Sequence, residues 1–320
     1  MTLSGPLATL GGLAKEIVRF LTGPVSPLPL GIYRCLVGCL ALVNGLLLAP
    51  DLDAFFGADG VLPAAPAGEA FRIDLVSWLG STPLAVRSVF AASMAAAAFT
   101  AVGLGSRLAT AVLFVTTVSF HHRNPFLLSS GDTMLRVMSF LLMLSPSGAA
   151  FSVDALLRSW RCGGAEAIPR TIPGTAVRVM QLQICIAYLA TGIWKACGSS
   201  WRDGTAVFLV MQLGQFRGFP LPAWAESAWF SRVATWSTLG LELLAPFLLW
   251  SRRTRLPTIA ALAALHLALE YAVIIQLFQP IMLAGLVLFL TERPGTERPG
   301  AFPPRFAARH PDQHIDRPIQ

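Results

Sequence analysis

Apolar runs of about 20 residues recur along the chain, long enough at about 1.5 Å per helical residue to cross a hydrocarbon core of about 30 Å. They cover Leu30 to Pro50, Pro83 to Leu104, Arg107 to Phe120, Thr133 to Ala150, Ala176 to Cys197 and Arg232 to Trp250. The stretch from Leu256 to Leu290 is too long for one crossing. Split near Tyr271 to Gln276, it gives two tightly connected spans. The pattern predicts an all-α, polytopic helical membrane protein with about eight transmembrane helices. Seven is the count if the last stretch is one long tilted helix.

Charge placement tests that count independently, because Lys and Arg concentrate in cytoplasmic loops. Counted from a cytoplasmic N-terminus carrying Lys15 and Arg19, three connections return inside: Arg107, the loop with Arg158, Arg161 and Arg170, and the run Arg252, Arg253, Arg255. All three are basic. The first external connection holds Asp51, Asp53, Asp59, Glu69 and Asp74 against a single Arg72. Eight spans with both termini cytoplasmic, in the inner membrane, fit this bias. The expected organisation is a cytoplasmic N-terminal segment over residues 1–27, able to lie on the membrane as an interfacial helix, a transmembrane domain over 28–291, and a disordered cytoplasmic tail over 292–320 that is rich in Pro and Arg. No cleavable signal peptide is evident.

Composition agrees. Hydrophobic residues make up 54% of the 320 and charged residues 13%, against about 25% charged in a soluble domain. The net charge of +7 is explained by the basic inner loops, so the partner it implies is the lipid bilayer and not nucleic acid. The five cysteines form no disulfide framework or metal-binding pattern. There is no phosphate-binding loop, dinucleotide fingerprint, nucleophile elbow or HExxH sequence, which leaves a nucleotide-driven pump or soluble-type hydrolase without support.

Ionisable groups inside apolar spans are costly, so each needs a partner or a purpose. His121, His122, Arg123, Asn124, Asp132 and Arg136 flank the outer connection between the third and fourth spans. Lys195 lies at the outer end of the fifth, followed by Trp201, and Glu270 at the outer end of the seventh with His266 one turn deeper. Each has a structural reading beside the functional one. Lys195 can snorkel to the interface, and His266 and Glu270 can satisfy each other as an i,i+4 pair. His121 and His122 point about 100° apart on a helix, which disfavours joint metal ligation. Glu242, in mid-span, must be neutral or paired, and Arg34 is expected to snorkel to the cytoplasmic interface. Trp194, Trp201, Trp224, Trp229 and Trp236 read as an interfacial aromatic belt. Gln276, Gln279 and Pro280 interrupt the last span, a weak pointer toward a transporter.

Several motifs together resemble the HTTM (horizontally transferred transmembrane) family, a bacterial group related to the membrane domain of vitamin K-dependent gamma-carboxylase. They are Arg34 with Gly38, Phe55-Phe56-Gly57 followed by Asp59-Gly60, Gly103-Leu104-Gly105 with Arg107, Phe151-Ser152-Val153-Asp154, and above all Gln183, Tyr188, Gly192, Lys195, Trp201 and Gly204. The resemblance covers roughly residues 28–291. It implies that Lys195 is the base that deprotonates a vitamin K-type hydroquinone, with His266 matching a family histidine in a late span. The gathering of polar groups at the outer ends of the spans makes His121, His122, Arg123, Asn124, Asp132, Arg136 and Glu270 candidate substrate-contacting residues, and the resemblance adds Tyr188 and Trp201. A lysine acts as base only as the free amine, which desolvation favours and a nearby carboxylate such as Glu270 opposes. The sequence departs from the carboxylase at Ser130-Gly131-Asp132, where that enzyme has an asparagine and histidine, by one extra residue between Lys195 and Trp201, and by lacking the large lumenal portion. The expectation is therefore confined to a quinol-binding, base-bearing membrane core. The competing expectation is a non-catalytic partner, maturation or immunity factor for another envelope protein.

Overall fold

The computed structural model describes residues 12, 15–61, 72–162, 169–214, 218–220 and 222–290. Among these, nine helices have nine residues or more: α1 (Leu28–Leu48), α2 (Pro83–Val102), α3 (Ser106–Arg123), α4 (Ser130–Met143), α5 (Val153–Arg161), α6 (Thr175–Cys197), α7 (Ala228–Leu248), α8 (Arg255–Ala272) and α9 (Phe278–Leu286). Each of the eight apolar runs has its helix, and α5 lies in the loop between the fourth and fifth. Among the described residues, three helices are both long and apolar enough to cross a membrane: Leu28–Phe56, Pro83–Val102 and Thr175–Cys197. By contrast α4 has 14 residues, about 21 Å of helix, too short to cross the hydrocarbon core alone. The final apolar run does break, between Ala272 and Phe278, where Val273 turns extended and Gln276 adopts φ 39°. Residues 15–22 are helical with Ile17 and Val18 exposed. Glu69 and the tail expected over 292–320 lie outside the described residues.

Local chemistry explains the helix starts. Thr82 accepts a hydrogen bond from Ala85 N and is followed by Pro83 at the first helical position of α2, where a missing N–H costs nothing. Ser129 and Asp132 form a reciprocal capping box at the start of α4. Ser152 and Ser227 cap α5 and α7 through Ala155 N and Phe230 N. For α3 the cap comes from another helix, since the Asp154 carboxylate of α5 accepts from Gly105 N, Ser106 N and Ser106 Oγ at 2.8 Å each. Burial alone would raise the Asp154 carboxyl, but these hydrogen bonds and nearby Arg158 hold it below the usual carboxylate range.

The core is built from Leu30, Tyr33, Val37, Leu113, Met138, Leu142, Met180, Ile184, Tyr188, Leu262 and Phe289, all nearly or fully enclosed. Large apolar side chains also point outward, among them Leu47, Leu84, Leu108, Phe247 and Leu267, as expected where the surroundings are apolar too. The α1–α2 and α6–α7 pairs pack extensively. α1 and α2 meet at Gly38, where a Cβ would stand 2.3 Å from Ala101 N, so only glycine allows the backbones this close. A two-stranded antiparallel pair, β1 (Pro24–Val25) with β2 (Ile172–Pro173), joins the entries to α1 and α6.

Arg34 does not reach for an interface. Its side chain is fully enclosed, donating from Nε to Thr100 O at 2.8 Å, from Nη1 to Ser147 O at 3.0 Å, and from Nη2 to Phe151 O at 2.5 Å and Ala101 O at 3.5 Å. The reason is that helix ends leave carbonyls unpaired, and one guanidinium has enough donors in a fixed fork to satisfy several at once. It closes the end of α2 and the loop after α4 together. Arg34→Lys should therefore fail to substitute, because one ammonium cannot span both segments. We expect both Arg34→Lys and Arg34→Met to lose about 3 kcal/mol or more, seen as early melting or loss of monodisperse protein in detergent; wild-type behaviour of Arg34→Lys would refute this role.

Candidate functional site

Tyr188, Thr191 and Lys195 follow one another at helical spacing and so share one face of α6. That face borders a cavity of about 450 Å³ lined by α4, α6, α7, α8, α9 and the short helix Ala206–Met211. The size suits a small organic head group. Its wall is mostly apolar, with Met134, Val137, Val207, Val210, Leu269, Phe278 and Met282; besides Ser130, Thr133, Gln183 and Thr238, its polar groups form two interacting sets.

In the first set, Lys195 Nζ forms an ion pair with Glu242 Oε1 of α7, and Thr191 Oγ1, whose one proton also has Ala187 O at 2.9 Å, lies 3.2 Å from Glu242 Oε2. The ammonium also lies 5.0 Å from the Trp201 ring centroid, within cation–π range. Close approach of α6 and α7 makes the pair possible: a Cβ at Gly192 would stand 2.9 Å from Leu243 Cδ2. The second set joins three helices. Tyr188 Oη is 2.7 Å from His266 Nε2, and His266 Nδ1 is 2.5 Å from Gln279 Oε1. All three residues are buried.

Four of the residues singled out from the sequence, Lys195, His266, Tyr188 and Trp201, thus border one cavity. Glu270 does not join them; its Oε2 is buried without a hydrogen-bond partner among the described residues, and His266 pairs with Tyr188 and Gln279 instead. Trp194, Trp224, Trp229 and Trp236 are exposed, while Trp201 is half-buried against Lys195. The residues flanking the connection from α3 to α4 do other work. Buried Arg123 donates to Phe56 O, Ser77 Oγ and Ser81 Oγ, with Asp74 at 3.6 Å. Asn124 donates to Phe55 O, and His122 Nδ1 accepts from Ile73 N. Together they hold the chain around Phe55–Phe56 and 73–81 against α3. His121, Asn124 and Asp132 border a second cavity, of about 410 Å³, beside Asn44, Asp51 and Gln276. α4 stands between the two cavities, facing the first with Met134 and the second with Leu135. Arg136 borders neither.

Sequence reasoning left three members of the two polar sets out of its candidate set. Glu242 carried a signal, a carboxylate in mid-span that demanded a partner. Gln279 carried a weaker one as a polar break in an apolar run. Thr191 carried none, since a threonine one turn before a lysine is unremarkable in a helix. Among the described residues no group of three or more His, Cys, Asp or Glu side chains could hold a metal ion.

A family model described as HTTM domain matches residues 23–293. The chain belongs to the HTTM domain family. No curated protein and no solved structure matches it. The matched range contains all nine helices and both cavities, and with three helices able to cross a bilayer this HTTM chain is a membrane protein. The Lys195–Glu242 pair can be tested without any ligand. If it ties α6 to α7, Lys195→Met and Glu242→Leu should each destabilise the detergent-solubilised protein, and the double variant should recover about 1–2 kcal/mol of the summed loss. Additive losses would mean that the pair contributes no coupling.

Proposed function

We propose that this HTTM protein is a multi-pass inner-membrane enzyme, related in chemistry to the gamma-carboxylase membrane domain, that binds a lipophilic quinol such as a vitamin K-type hydroquinone. One observation carries the reading: the Lys195–Glu242 pair and the Tyr188–His266–Gln279 chain border the same largely apolar cavity. An apolar wall suits a ring and the start of a prenyl tail. The two polar sets suit a head group with oxygens on both sides.

Lys195 is the proton acceptor in this reading, and it must first become a free amine. Glu242 supplies the route, taking one proton from Nζ to Oε1 and leaving amine and carboxylic acid side by side. The largely apolar cavity wall disfavours separated charge and helps that transfer. The amine then takes a proton from the ligand hydroxyl. Thr191 lies beside the second carboxylate oxygen, Trp201 covers the ammonium, and Tyr188 with His266 orients the head group. Eight spans with both termini cytoplasmic accompany the proposal, supported by the basic connections and by the alternation of helix ends around Arg34 and Arg123.

Two measurements check it. Lys195→Ala, if it folds, should lose about 10²-fold or more of base-dependent quinol oxidation in nanodiscs; unchanged turnover, or stable co-purification of one envelope protein with both wild type and variant, would favour the partner reading. Cysteines introduced near Arg107, Arg161 and Arg253 should be labelled only from the cytoplasmic side. External labelling at any of them would overturn the eight-span arrangement.

A further inference from the structure

The direction of the hydrogen bonds at Tyr188 decides what the cavity offers a ligand there, and that direction is set from Gln279. An amide oxygen only accepts. With Gln279 Oε1 against Nδ1 at 2.5 Å, His266 must carry its proton on Nδ1. Nε2 is then left with a lone pair, because a neutral imidazole donates from one nitrogen and accepts at the other. Tyr188 Oη, 2.7 Å from Nε2, is therefore the donor in that contact. Its one proton is committed to His266, and the phenol oxygen turns only lone pairs toward the cavity. At the other polar set, Lys195 donates and Glu242 accepts.

We infer that Gln279, acting through His266 and Tyr188, makes this cavity selective for a head group that donates a hydroxyl proton over its oxidised counterpart that only accepts. The inference rests on the quinol reading above and deepens it. On binding, before Lys195 passes its proton to Glu242, a quinol can accept from the Lys195 ammonium with one oxygen and donate to Tyr188 with the other. A quinone can only accept, so it leaves the Tyr188 oxygen facing another acceptor. A buried polar atom left unpaired in this way costs enough to separate the two forms by roughly tenfold. Were the Gln279 amide turned over, its Nε2 would donate to Nδ1, His266 would donate from Nε2, and the Tyr188 hydroxyl would be free to favour the quinone. The two orientations predict opposite preferences. Gln279 is a positioning residue in this scheme, since it acts through His266.

The test has one arm that needs no ligand. In the full chain labelled with ¹⁵N-histidine in detergent, with the His266 signals assigned by loss in His266→Asn, the ring nitrogens should report a neutral imidazole protonated on Nδ1. Gln279→Glu, which still accepts, should keep that tautomer, and Gln279→Met should lose it. In the second arm, a methylnaphthoquinone with one isoprenyl tail and its chemically reduced hydroquinone are titrated by fluorescence quenching in nanodiscs. The hydroquinone should bind about tenfold tighter to wild type and to Gln279→Glu, with the preference collapsing in Gln279→Met. Protonation on Nε2 in wild type, or tighter binding of the quinone, overturns the inference. Binding of neither form defeats the quinol reading and the selectivity with it, and the tautomer arm then still reports whether the relay runs in the stated direction.

Discussion

A charged side chain carried into hydrocarbon must find its partners inside the protein, because no solvent there will supply them. That constraint organises this molecule. Arg34 answers it with backbone carbonyls at the end of α2 and in the loop after α4. Arg123 answers it near the opposite helix ends with Phe56 O, two serine hydroxyls and Asp74. Between them, Lys195 and Glu242 answer it with each other. The two arginines close helix ends that would otherwise expose unpaired carbonyls. The lysine and glutamate differ, because they face a space large enough for a ligand.

Small residues set how closely these groups approach. Gly38 lets α1 lie against the backbone of α2, which brings Arg34 within reach of Thr100 and Ala101. Gly192 does the same between α6 and α7, bringing Lys195 to Glu242. The break between α8 and α9 has the complementary effect. By ending α8 at Ala272 and restarting at Phe278, the chain folds Gln279 back toward His266, 13 positions away. A continuous helix would hold those two residues about 20 Å apart along its axis. The chain of hydrogen bonds to Tyr188 therefore depends on an interruption, with Gln276 at φ 39° inside it. The same interruption separates two neighbouring spaces: Gln276 borders one cavity and Gln279 the other.

Much of this was legible in the sequence. The eight apolar runs each became a helix, since helices satisfy their own backbone in an apolar medium and need only length and composition to be recognised. The break in the last run was legible from its length. Lys195, Tyr188, Trp201 and His266 were legible as candidates through a family-like segment and the cost of charge in a span. Partnerships were not. Arg34, expected to reach an interface, is enclosed because carbonyls over 60 and over 110 positions away converge on it. Glu270, expected beside His266 at i,i+4, yields that place to Tyr188 and Gln279 from other helices.

By itself, then, the sequence determined which segments are helical and apolar, which family they compose, and which side chains would be costly without a partner, because those properties are local and additive along the chain. Only the tertiary structure decided which of the costly side chains meet. It set Lys195, His266, Tyr188 and Trp201 at one cavity and His121, Asn124 and Asp132 at another on the far side of α4, left His122, Arg123, Arg136 and Glu270 at neither, and chose Glu242 over Glu270 as the partner of Lys195. The physical reason is that pairing across helices depends on crossing points and facing directions, set by where small residues let backbones touch and where a helix breaks.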